Sequence, residues 1–212
     1  SQLVLQILSF QPSLLIAIDQ NETGMFYLER KLREKSGDTP YRCVVADVCD
    51  EAAIARIFSQ AQPDIVFHAA AYKHVSVMEE NPLEAIKNNI FGTLTVGNAA
   101  RATGSEKFVF VSTDKAVRPL SVMGMTKHVG EMICVMLHKL GPTKFCAVRF
   151  GNVLDSQGNV IELFREQIKR GGPLEITHPD MQRYFMVTSE ACLLVMQAGA
   201  LSADGEIFCL DM

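Results

Sequence analysis

Two neighbouring polar side chains are the most informative residues of this sequence, because together they could donate and accept protons. Asp114 and Lys115 follow Thr113 and the apolar run 107–111, which is typical of a buried parallel strand. Ligands of an open α/β sheet bind beyond the carboxyl ends of its strands. The sequence therefore predicts a hydroxyl, a carboxyl and an amine at a binding site. A loop ion pair is the alternative interpretation of Asp114 and Lys115.

A second amine is predicted on the helix that follows. Met123 and Lys127 are four residues apart within the helix predicted over residues 122–140, so their side chains face the same side of that helix. We expect Lys127 close to the strand end that carries Lys115. The carboxyl group and the two amines would then share one pocket.

The residues are positioned by strands and helices that alternate along the chain, a pattern that favours an α/β fold with a doubly wound parallel sheet. The predicted strands are residues 14–18, 42–46, 65–68, 108–112 and 145–150. The helices predicted between them are residues 22–35, 51–60, 82–103 and 122–140. Beyond residue 151 we predict a helix at 159–170, a strand at 174–177, a helix at 188–200 and a strand at 206–210.

The composition argues against several classes of function. The 212 residues are 48% hydrophobic and 21% charged, with a formal net charge of -4. No basic stripe suits nucleic-acid binding, and no apolar run approaches the roughly 18 residues that span a bilayer. We therefore expect this segment to contact neither nucleic acid nor a membrane. No signal peptide is recognisable. The six cysteines are scattered without a CxxC pair, so we expect reduced thiols in a cytoplasmic protein rather than disulfides or a metal site.

The N-terminal residues bear on dinucleotide binding. Residues 1–10 have the apolar spacing of a helix body. A Rossmann domain begins with a strand and a glycine-rich turn before that helix, and the sequence contains no GxGxxG motif. Either the chain does not bind a dinucleotide, or its first strand and phosphate loop precede residue 1, which is the interpretation we favour. In that case residues 1–150 are an incomplete Rossmann-like NAD-binding domain, and residues 151–212 are part of a small substrate-binding lobe.

Candidate cofactor-binding residues lie at the ends of three predicted strands. Asp19 could accept hydrogen bonds from the adenine-ribose hydroxyls of NAD and would repel the phosphate of NADP, or it could be a turn or helix-cap residue. Asp47 and Val48 could approach the adenine edge, with a helix cap as the alternative. Small residues after the third strand would let a flat cofactor lie against the backbone, unless they serve tight helix–sheet packing. They are Ala69, Ala70 and Ala71.

Candidate substrate-binding residues are polar side chains on the loops and on one helix. Lys73 and His74 follow the third predicted strand, where a solvated loop is the alternative. Asn88 and Asn89 lie inside the helix 82–103 although asparagine is a mediocre helix former. A buried asparagine there would brace neighbouring loops, whereas an exposed pair would have no role.

Two arginines complete the set of candidates. Arg149 and Asn152 flank Gly151 at the end of a predicted strand and could bind polar substrate atoms. The forked guanidinium of Arg183 suits a diphosphate, with a surface ion pair as the alternative.

Seven short stretches together resemble the extended short-chain dehydrogenase/reductase superfamily. Within it they are most similar to the nucleotide-sugar 4,6-dehydratases of polysaccharide and capsule biosynthesis, in particular those that act on UDP-N-acetylglucosamine. The stretches are HAAAYKHV (68–75), MEENP (78–82), KNNIFGT (87–93), STDKAV (112–117), VMGMTK (122–127), RFGNVL (149–154) and THPDMQRYFM (177–186). They extend over nearly the whole chain, and the set is specific although each stretch alone is weak.

The sequence departs from the family pattern at a few points. The glycine-rich phosphate loop of the family would precede Ser1, and the usual active-site tyrosine falls at Met123. A thioether neither ionises nor donates a proton. One dehydratase subgroup carries methionine at this position, so we interpret Met123 as a mark of subtype. Asp155 and Glu162 replace an expected glycine and proline.

The resemblance implies an internal redox cycle on a UDP-N-acetylhexosamine. A hydride leaves C4 of the sugar for NAD⁺, the ketone acidifies the C5 proton, water is lost across C5 and C6, and the hydride returns to C6. In that cycle Lys115 is the base at C5, Asp114 is the acid at the C6 hydroxyl, and Thr113 hydrogen-bonds the C4 oxygen. Such an acid needs a raised pKa and such a base a lowered one. Lys127 would hold the nicotinamide ribose, and either Asp114 or a water held by Lys127 would take the C4 hydroxyl proton.

Two other functions stay open on the same residues. A nucleotide-sugar epimerase would form the 4-ketone without losing water, and the Thr-Asp-Lys triplet argues against it. A non-catalytic nucleotide-binding module would not need Asp114, Lys115 and Lys127 together. The resemblance also implies a homo-oligomer, with a dimer face on the helices 82–103 and 122–140. Some relatives carry membrane helices upstream, so an anchor at the inner membrane stays open for the whole protein.

Overall fold

The computed structural model describes residues 2–154, 160–176 and 178–212. The helices are α1 (Gln2–Leu8), α2 (Glu22–Lys35), α3 (Glu51–Ala61), α4 (Val75–Glu80), α5 (Pro82–Ile86), α6 (Gly92–Ala102), α7 (Val122–His138), α8 (Val160–Lys169) and α9 (Thr188–Leu201). The strands are β1 (Leu15–Asp19), β2 (Tyr41–Val45), β3 (Ile65–His68), β4 (Lys107–Val111), β5 (Lys144–Arg149), β6 (Asn152–Leu154), β7 (Phe185–Val187) and β8 (Ile207–Cys209). A π-helical turn (Lys87–Phe91) joins α5 to α6, and a 3₁₀ turn (Asp114–Ala116) follows β4.

Parallel pairing brings the ends of the central strands to one edge of a sheet. Strands β3, β4, β5 and β8 lie in that order, and all three neighbouring pairs are parallel. β1 pairs with β2, and β6 pairs with β7, in two further parallel sheets. The chain therefore leaves β3, β4 and β5 on the same side, and the predicted α/β fold with parallel, Rossmann-like sheets is confirmed.

The middle residues of β4 and β5 are apolar because helices cover both faces of the sheet. Phe108, Phe110 and Phe145 pack on one face against residues of α3, α6 and α7. Val109 and Val148 pack on the other face against α9. A strand buried on both faces has no reason to alternate polar and apolar residues, which is why the run at β4 is continuous.

The elements near the site begin at side-chain caps. The Asn21 side chain accepts a hydrogen bond from Gly24 N at 2.9 Å, and this cap starts α2 at the predicted residue. The Ser121 hydroxyl accepts from Gly124 N at 3.1 Å at the start of α7. The Glu79 carboxylate on α4 also accepts from Val122 N, at 2.7 Å. The position of α7 is thus fixed from two sides.

The observed elements differ from the predicted ones where pairing or packing is non-local. The single helix predicted over 82–103 contains the π-helical turn, and α4 was not predicted. The strand predicted at 174–177 is wrong over 174–176, which pair with no strand among the described residues, and Thr177 lies outside those residues. Instead, β6 and β7 pair although no pattern marks them. Asp155 and residue 159 of the predicted helix also lie outside the described residues.

The segment after residue 151 contributes to two sheets. β8 extends the central sheet beside β5, while β6 and β7 form a pair of their own next to α9. The division into domains at residues 150 and 151 stays a prediction.

Candidate active site

A cavity of about 350 Å³ opens at the carboxyl ends of β3, β4 and β5. The loop after β3 lines it with Ala69, Ala71, Tyr72, Lys73 and His74. The loop after β4 and helix α7 add Ser112, Thr113, Lys115, Met123 and Lys127, and the loop after β5 adds Gly151 and Asn152. The fold therefore brings the predicted acid–base residues and the second amine to one site. This site lies beyond the carboxyl ends of the strands, where open α/β sheets bind their ligands.

Hydrogen bonds join the predicted triplet into one cluster. The Thr113 hydroxyl donates to Asp114 Oδ1 at 2.8 Å, and Lys115 Nζ donates to the same oxygen at 2.9 Å. Lys115 Nζ also donates to Asn152 Oδ1 at 3.2 Å, which links the 3₁₀ turn after β4 to the start of β6. Thr113, Lys115 and Asn152 line the cavity, and Asp114 joins them through these bonds.

The protonation of Asp114 differs from what a resting general acid requires. Partial burial acts to raise the pKa of this carboxyl, but hydrogen bonds from Lys115 and Thr113 outweigh it and hold the pKa below its usual range. Asp114 and Lys115 therefore form an ion pair in this state of the site.

Lys127 is a buried amine that faces the cavity. Its Nζ lies 4.2 Å from the centre of the Phe110 ring, and the side chain is 6% exposed. Burial lowers the pKa of Lys127 to about 8, against a smaller opposing effect from acidic neighbours that include Glu131. An amine whose pKa lies this close to neutral pH can exchange a proton during a reaction.

His68 stacks on the Phe110 ring, with the two ring centres 5.9 Å apart. Burial, helped by the charge of Lys127, lowers the pKa of His68 to about 3, so its imidazole is neutral. His68 Nε2 lies 3.0 Å from Thr93 Oγ1. That hydroxyl donates to Asn89 O at 2.7 Å, so His68 must be the donor in its bond to Thr93.

Two glycines allow α7 to approach the β4 end closely. A Cβ at Gly124 would lie 2.4 Å from the carbonyl oxygen of Lys115, and one at Gly130 would lie 2.5 Å from the Phe110 ring. Any larger residue would push the helix away from the 3₁₀ turn or from the strand. The two glycines thus set the separation between Lys115 and Lys127.

The π-helical turn braces the loop after β3. Asn89 Oδ1 accepts from Tyr72 N at 2.8 Å, and Asn89 Nδ2 donates to Tyr72 O and to Thr126 Oγ1, both at 3.0 Å. A buried asparagine that braces loops is what the sequence suggested for this pair. Asn88, the predicted substrate contact, is itself buried and donates to Asn89 Oδ1 at 3.0 Å. It lies in the bracing network and not among the described residues that line the cavity.

Glu131 is the residue that the sequence analysis missed. It is 1% exposed, and it accepts from Ser112 Oγ at 2.5 Å and from Arg149 Nε and Nη2 at 2.8 and 2.6 Å. Arg149, predicted to contact substrate, instead forms a bidentate ion pair with Glu131. The available signal was the spacing, since Glu131 follows Lys127 by four residues on the same helix face.

The remaining candidates lie away from the described cavity lining. Asp19 accepts from Asn21 N and Asp47 accepts from Cys49 N, each at 2.9 Å, at the ends of β1 and β2. Val48 is buried and lies where a Cβ on Gly92 would touch it. Ala70 packs against the core, unlike Ala69 and Ala71. Arg183 is exposed and donates to Gln182 O at 3.0 Å.

The described residues form neither a metal-binding cluster nor a membrane-spanning helix. Within residues 2–154, 160–176 and 178–212, no three His, Cys, Asp or Glu side chains come together as a metal site. No helix in that part of the chain has both the length and the apolar character needed to cross a bilayer.

The sequence matches a known family along its whole length. The sequence model of the family described as "polysaccharide biosynthesis protein" matches residues 1–212. The chain is 47% identical over 213 residues to the probable polysaccharide biosynthesis protein EpsC of Bacillus subtilis, and 46% identical over 214 residues to the capsular polysaccharide biosynthesis protein CapD of Staphylococcus aureus. Each match covers 100% of this chain and 36% of the relative, so the chain spans about a third of the length of these proteins. A UDP-glucose 4-epimerase of Rickettsia canadensis is 42% identical over 148 residues, which cover 68% of this chain and 43% of the epimerase.

Solved structures share the fold. Pen from Bacillus thuringiensis superposes with a TM-score of 0.91 at 33% identity, covering 100% of this chain and 65% of that structure. The dTDP-glucose 4,6-dehydratase DesIV from Streptomyces venezuelae, solved with NAD and TYD bound, has a TM-score of 0.82 at 22% identity, covering 98% of this chain and 69% of that structure. At that identity the likeness to DesIV extends to the fold alone.

Proposed function

Since this chain belongs to the polysaccharide biosynthesis protein family, we propose that it supplies the catalytic groups of an NAD-dependent UDP-N-acetylhexosamine 4,6-dehydratase. The observation that carries the proposal is the hydrogen-bonded cluster of Thr113, Asp114 and Lys115, which shares one cavity with the buried amine of Lys127. A carboxyl and an amine in contact are what a coupled loss of a proton and a hydroxyl group needs.

The residues of the cavity fit the nicotinamide end of NAD. The small side chains of Ala69 and Ala71 leave the backbone open to a flat ring, and the Lys127 amine projects into the same space. The exposed carboxylate of Asp19 at the end of β1 suits the adenine-ribose hydroxyls, which favours NAD over NADP. When bound, NAD supplies a reversible two-electron oxidation of the sugar.

Asp114 and Lys115 form an ion pair in the resting site, and they become the acid and the base of the elimination when one proton moves between them. Movement of one proton along the 2.9 Å contact turns the ammonium and carboxylate into a neutral amine and a neutral carboxylic acid. No net charge changes, and exclusion of water by a bound sugar favours the neutral pair. The lowered pKa of Asp114 in the open site is therefore compatible with its role as an acid once substrate fills the cavity.

The elimination then balances within this pair. Lys115 takes the proton from C5 of the 4-keto sugar while the C5–C6 double bond forms. The C6–oxygen bond breaks, and Asp114 gives its proton to the departing hydroxyl, which leaves as water. The products of the step on the protein are the ammonium and the carboxylate of the resting ion pair. Thr113 positions the C4 oxygen by a hydrogen bond.

The substrate would be held by polar groups at the cavity rim. Asn152, Lys73 and His74 line the cavity and offer an amide, an amine and an imidazole to the sugar and its diphosphate. Arg183 is exposed two residues before Phe185, which lines the cavity, and would offer its guanidinium to the diphosphate.

Turnover of UDP-N-acetylglucosamine by the full-length protein tests this proposal. We expect a product lighter by one water, detected by mass spectrometry, and no such product from an Asp114→Asn or Lys115→Ala protein. Near-normal turnover by both variants would reject their roles. The similarity to a UDP-glucose 4-epimerase supports a second candidate, which predicts an epimer of unchanged mass. No change to the sugar would favour a non-catalytic nucleotide-binding module.

A further inference from the structure

We propose that Glu131 is a positioning residue that holds helix α7 and the ends of β4 and β5 in the relative placement that the site requires. The inference rests on the proposed function, because it concerns how the groups of that site are brought together. Glu131 itself is not among the described residues that line the cavity. It acts through the residues that flank the catalytic ones.

The bonds of Glu131 reach two strand ends from one helix. Ser112, which donates to Oε1, directly precedes Thr113. Arg149, which donates to both carboxylate oxygens, ends β5 shortly before Asn152. A single carboxylate on α7 therefore fixes the starting points of both loops that supply the cavity with polar groups. Charge-assisted, bidentate bonds are the strongest hydrogen bonds available for such a task.

The two strand ends are also bonded to each other. Ser112 N donates to Val148 O at 2.8 Å, and Asp114 N donates to Phe150 O at 3.0 Å. The loops after β4 and β5 are thus bonded to each other, and Glu131 is a side chain of α7 that ties both to the helix. Since Lys127 lies one turn before Glu131, the same tie sets the distance from Lys127 to Lys115.

The charge of Glu131 also acts on Lys127. Burial depresses the pKa of Lys127, and Glu131 opposes that depression. Other ionisable groups bear on this pair of residues. His68 on β3 and Cys134 on α7 interact with Lys127, and Lys115 lines the same cavity. Arg149 on β5 and His128 on α7 contact the Glu131 carboxylate. Of these, His68 is neutral and the Cys134 thiol has its pKa raised by burial, so neither supplies a charge near neutral pH. Glu131 is therefore the carboxylate that offsets the positive charges of Lys127 and Arg149.

The test compares Glu131→Gln and Ser112→Ala with Glu29→Gln in the full-length protein. Glu29 makes an exposed ion pair with Arg33 within α2, so its substitution is a matched loss of one paired carboxylate far from the cavity. Four quantities are measured: kcat, KM, the pH dependence of kcat, and the pH dependence of Lys127 acetylation followed by mass spectrometry. Acetylation does not require turnover, so it reports the protonation of the Lys127 amine even if the proposed reaction is wrong.

We expect Glu131→Gln to lower kcat about 100-fold with KM changed much less, because displaced catalytic groups slow the reaction more than they weaken binding. The acetylation midpoint of Lys127 should move to lower pH by about one unit, the size expected when an opposite charge one helical turn away is lost. Ser112→Ala should lower kcat about fivefold and leave the midpoint in place, since the carboxylate remains. Glu29→Gln should change none of these quantities.

Two results would overturn the proposal. One is a folded Glu131→Gln protein with the wild-type kcat. The other is an unmoved acetylation midpoint in that variant. If Glu131→Gln does not fold, a wild-type kcat for Ser112→Ala overturns it instead. Failure of the wild-type protein to dehydrate the sugar would reject the proposed function. The acetylation midpoint would still show whether the charge of Glu131 raises the pKa of Lys127.

Discussion

The buried amine of Lys127 is a functional group that lowers the stability of the folded protein. It is buried against Phe110, and burial outweighs the opposing effect of acidic neighbours and lowers its pKa to about 8. The folded state therefore binds fewer protons than the unfolded state between pH 8 and 10.5. Stability rises with pH in that window, and below it the buried charge carries its full cost.

Lys127→Met should make the protein more stable at pH 7. The shift from 10.5 to about 8 corresponds to at most about 3 kcal/mol, at 1.36 kcal/mol per pKa unit. The advantage should shrink as the pH rises from 8 towards 10.5, because the wild-type amine then loses its charge. Urea unfolding at pH 7 and pH 10 measures both effects. A variant less stable than the wild type at pH 7 would contradict the assignment of burial as the dominant cause.

His68 should make the wild-type protein sensitive to mild acid. Its pKa is lowered from 6.5 to about 3, so protons bind to the unfolded state first as the pH falls below 6.5. Between pH 7 and pH 5 we expect a loss of about 2 kcal/mol of unfolding free energy from this group. His68→Gln, which keeps a donor for Thr93, should remove that part of the pH dependence. The exposed His178→Gln serves as the control, and an equal pH dependence in wild type and His68→Gln would refute the argument.

Helix α7 is the element that assembles the site. It carries Met123, Lys127 and Glu131 at intervals of four residues, all of them buried. Its first turn is capped by Ser121 and by Glu79 from α4. Close packing at Gly124 then places it against the 3₁₀ turn of Asp114–Ala116. A helix so constrained can hold Lys127 within reach of Lys115 without any direct bond between the two amines.

Gly124→Ala should separate the helix from that turn. The added Cβ would lie 2.4 Å from a backbone oxygen, which cannot rotate away as a flexible side chain can. We expect kcat of the full-length protein to fall about 100-fold through misplacement of Lys115 and Lys127. Gly141→Ala is the matched control, because its Cβ would meet only the Arg101 side chain at 3.5 Å. Equal activity of the two variants would show that the close approach at Gly124 is not needed.

The whole molecule leaves an apolar surface on the helices that flank the site. Met125, Met132 and Met136 are about half exposed and lie along one stripe of α7, with exposed Phe91 on the neighbouring π-helical turn. The candidate active site lies elsewhere, and Met132 and Met136 line a surface groove together with Ile207 of the edge strand β8. The homo-oligomer implied by the family resemblance would use it, which keeps oligomerisation a proposal about the full-length protein.

Met132→Glu should therefore weaken self-association. Light scattering after size-exclusion chromatography of the full-length protein should show a shift from dimer to monomer, because burying an unpaired carboxylate at the centre of an interface is costly. Leu201→Glu is the control, since Leu201 is also exposed but lies at the end of α9. A dimer that tolerates Met132→Glu and dissociates with Leu201→Glu would place the interface on α9.

Much of the architecture is determined by local sequence. The five strands predicted before residue 151 were found, because apolar runs report burial on both faces and the pattern is local. The start of α2 after Asn21 follows from a cap that three residues suffice to form. That Thr113, Lys115 and Asn152 would share a cavity followed from the rule that parallel strands end on one side.

Tertiary packing determines which polar side chains line the cavity and which bind to one another. Arg149 and Asn152 both follow the same strand, yet one is bound to Glu131 and the other lines the cavity. The pairing of β6 with β7 and the partners of Asn89 depend in the same way on residues distant in the chain. The physical reason is that local preference fixes where an element begins and ends, whereas the partner of a buried polar group is set by whichever element packs against it.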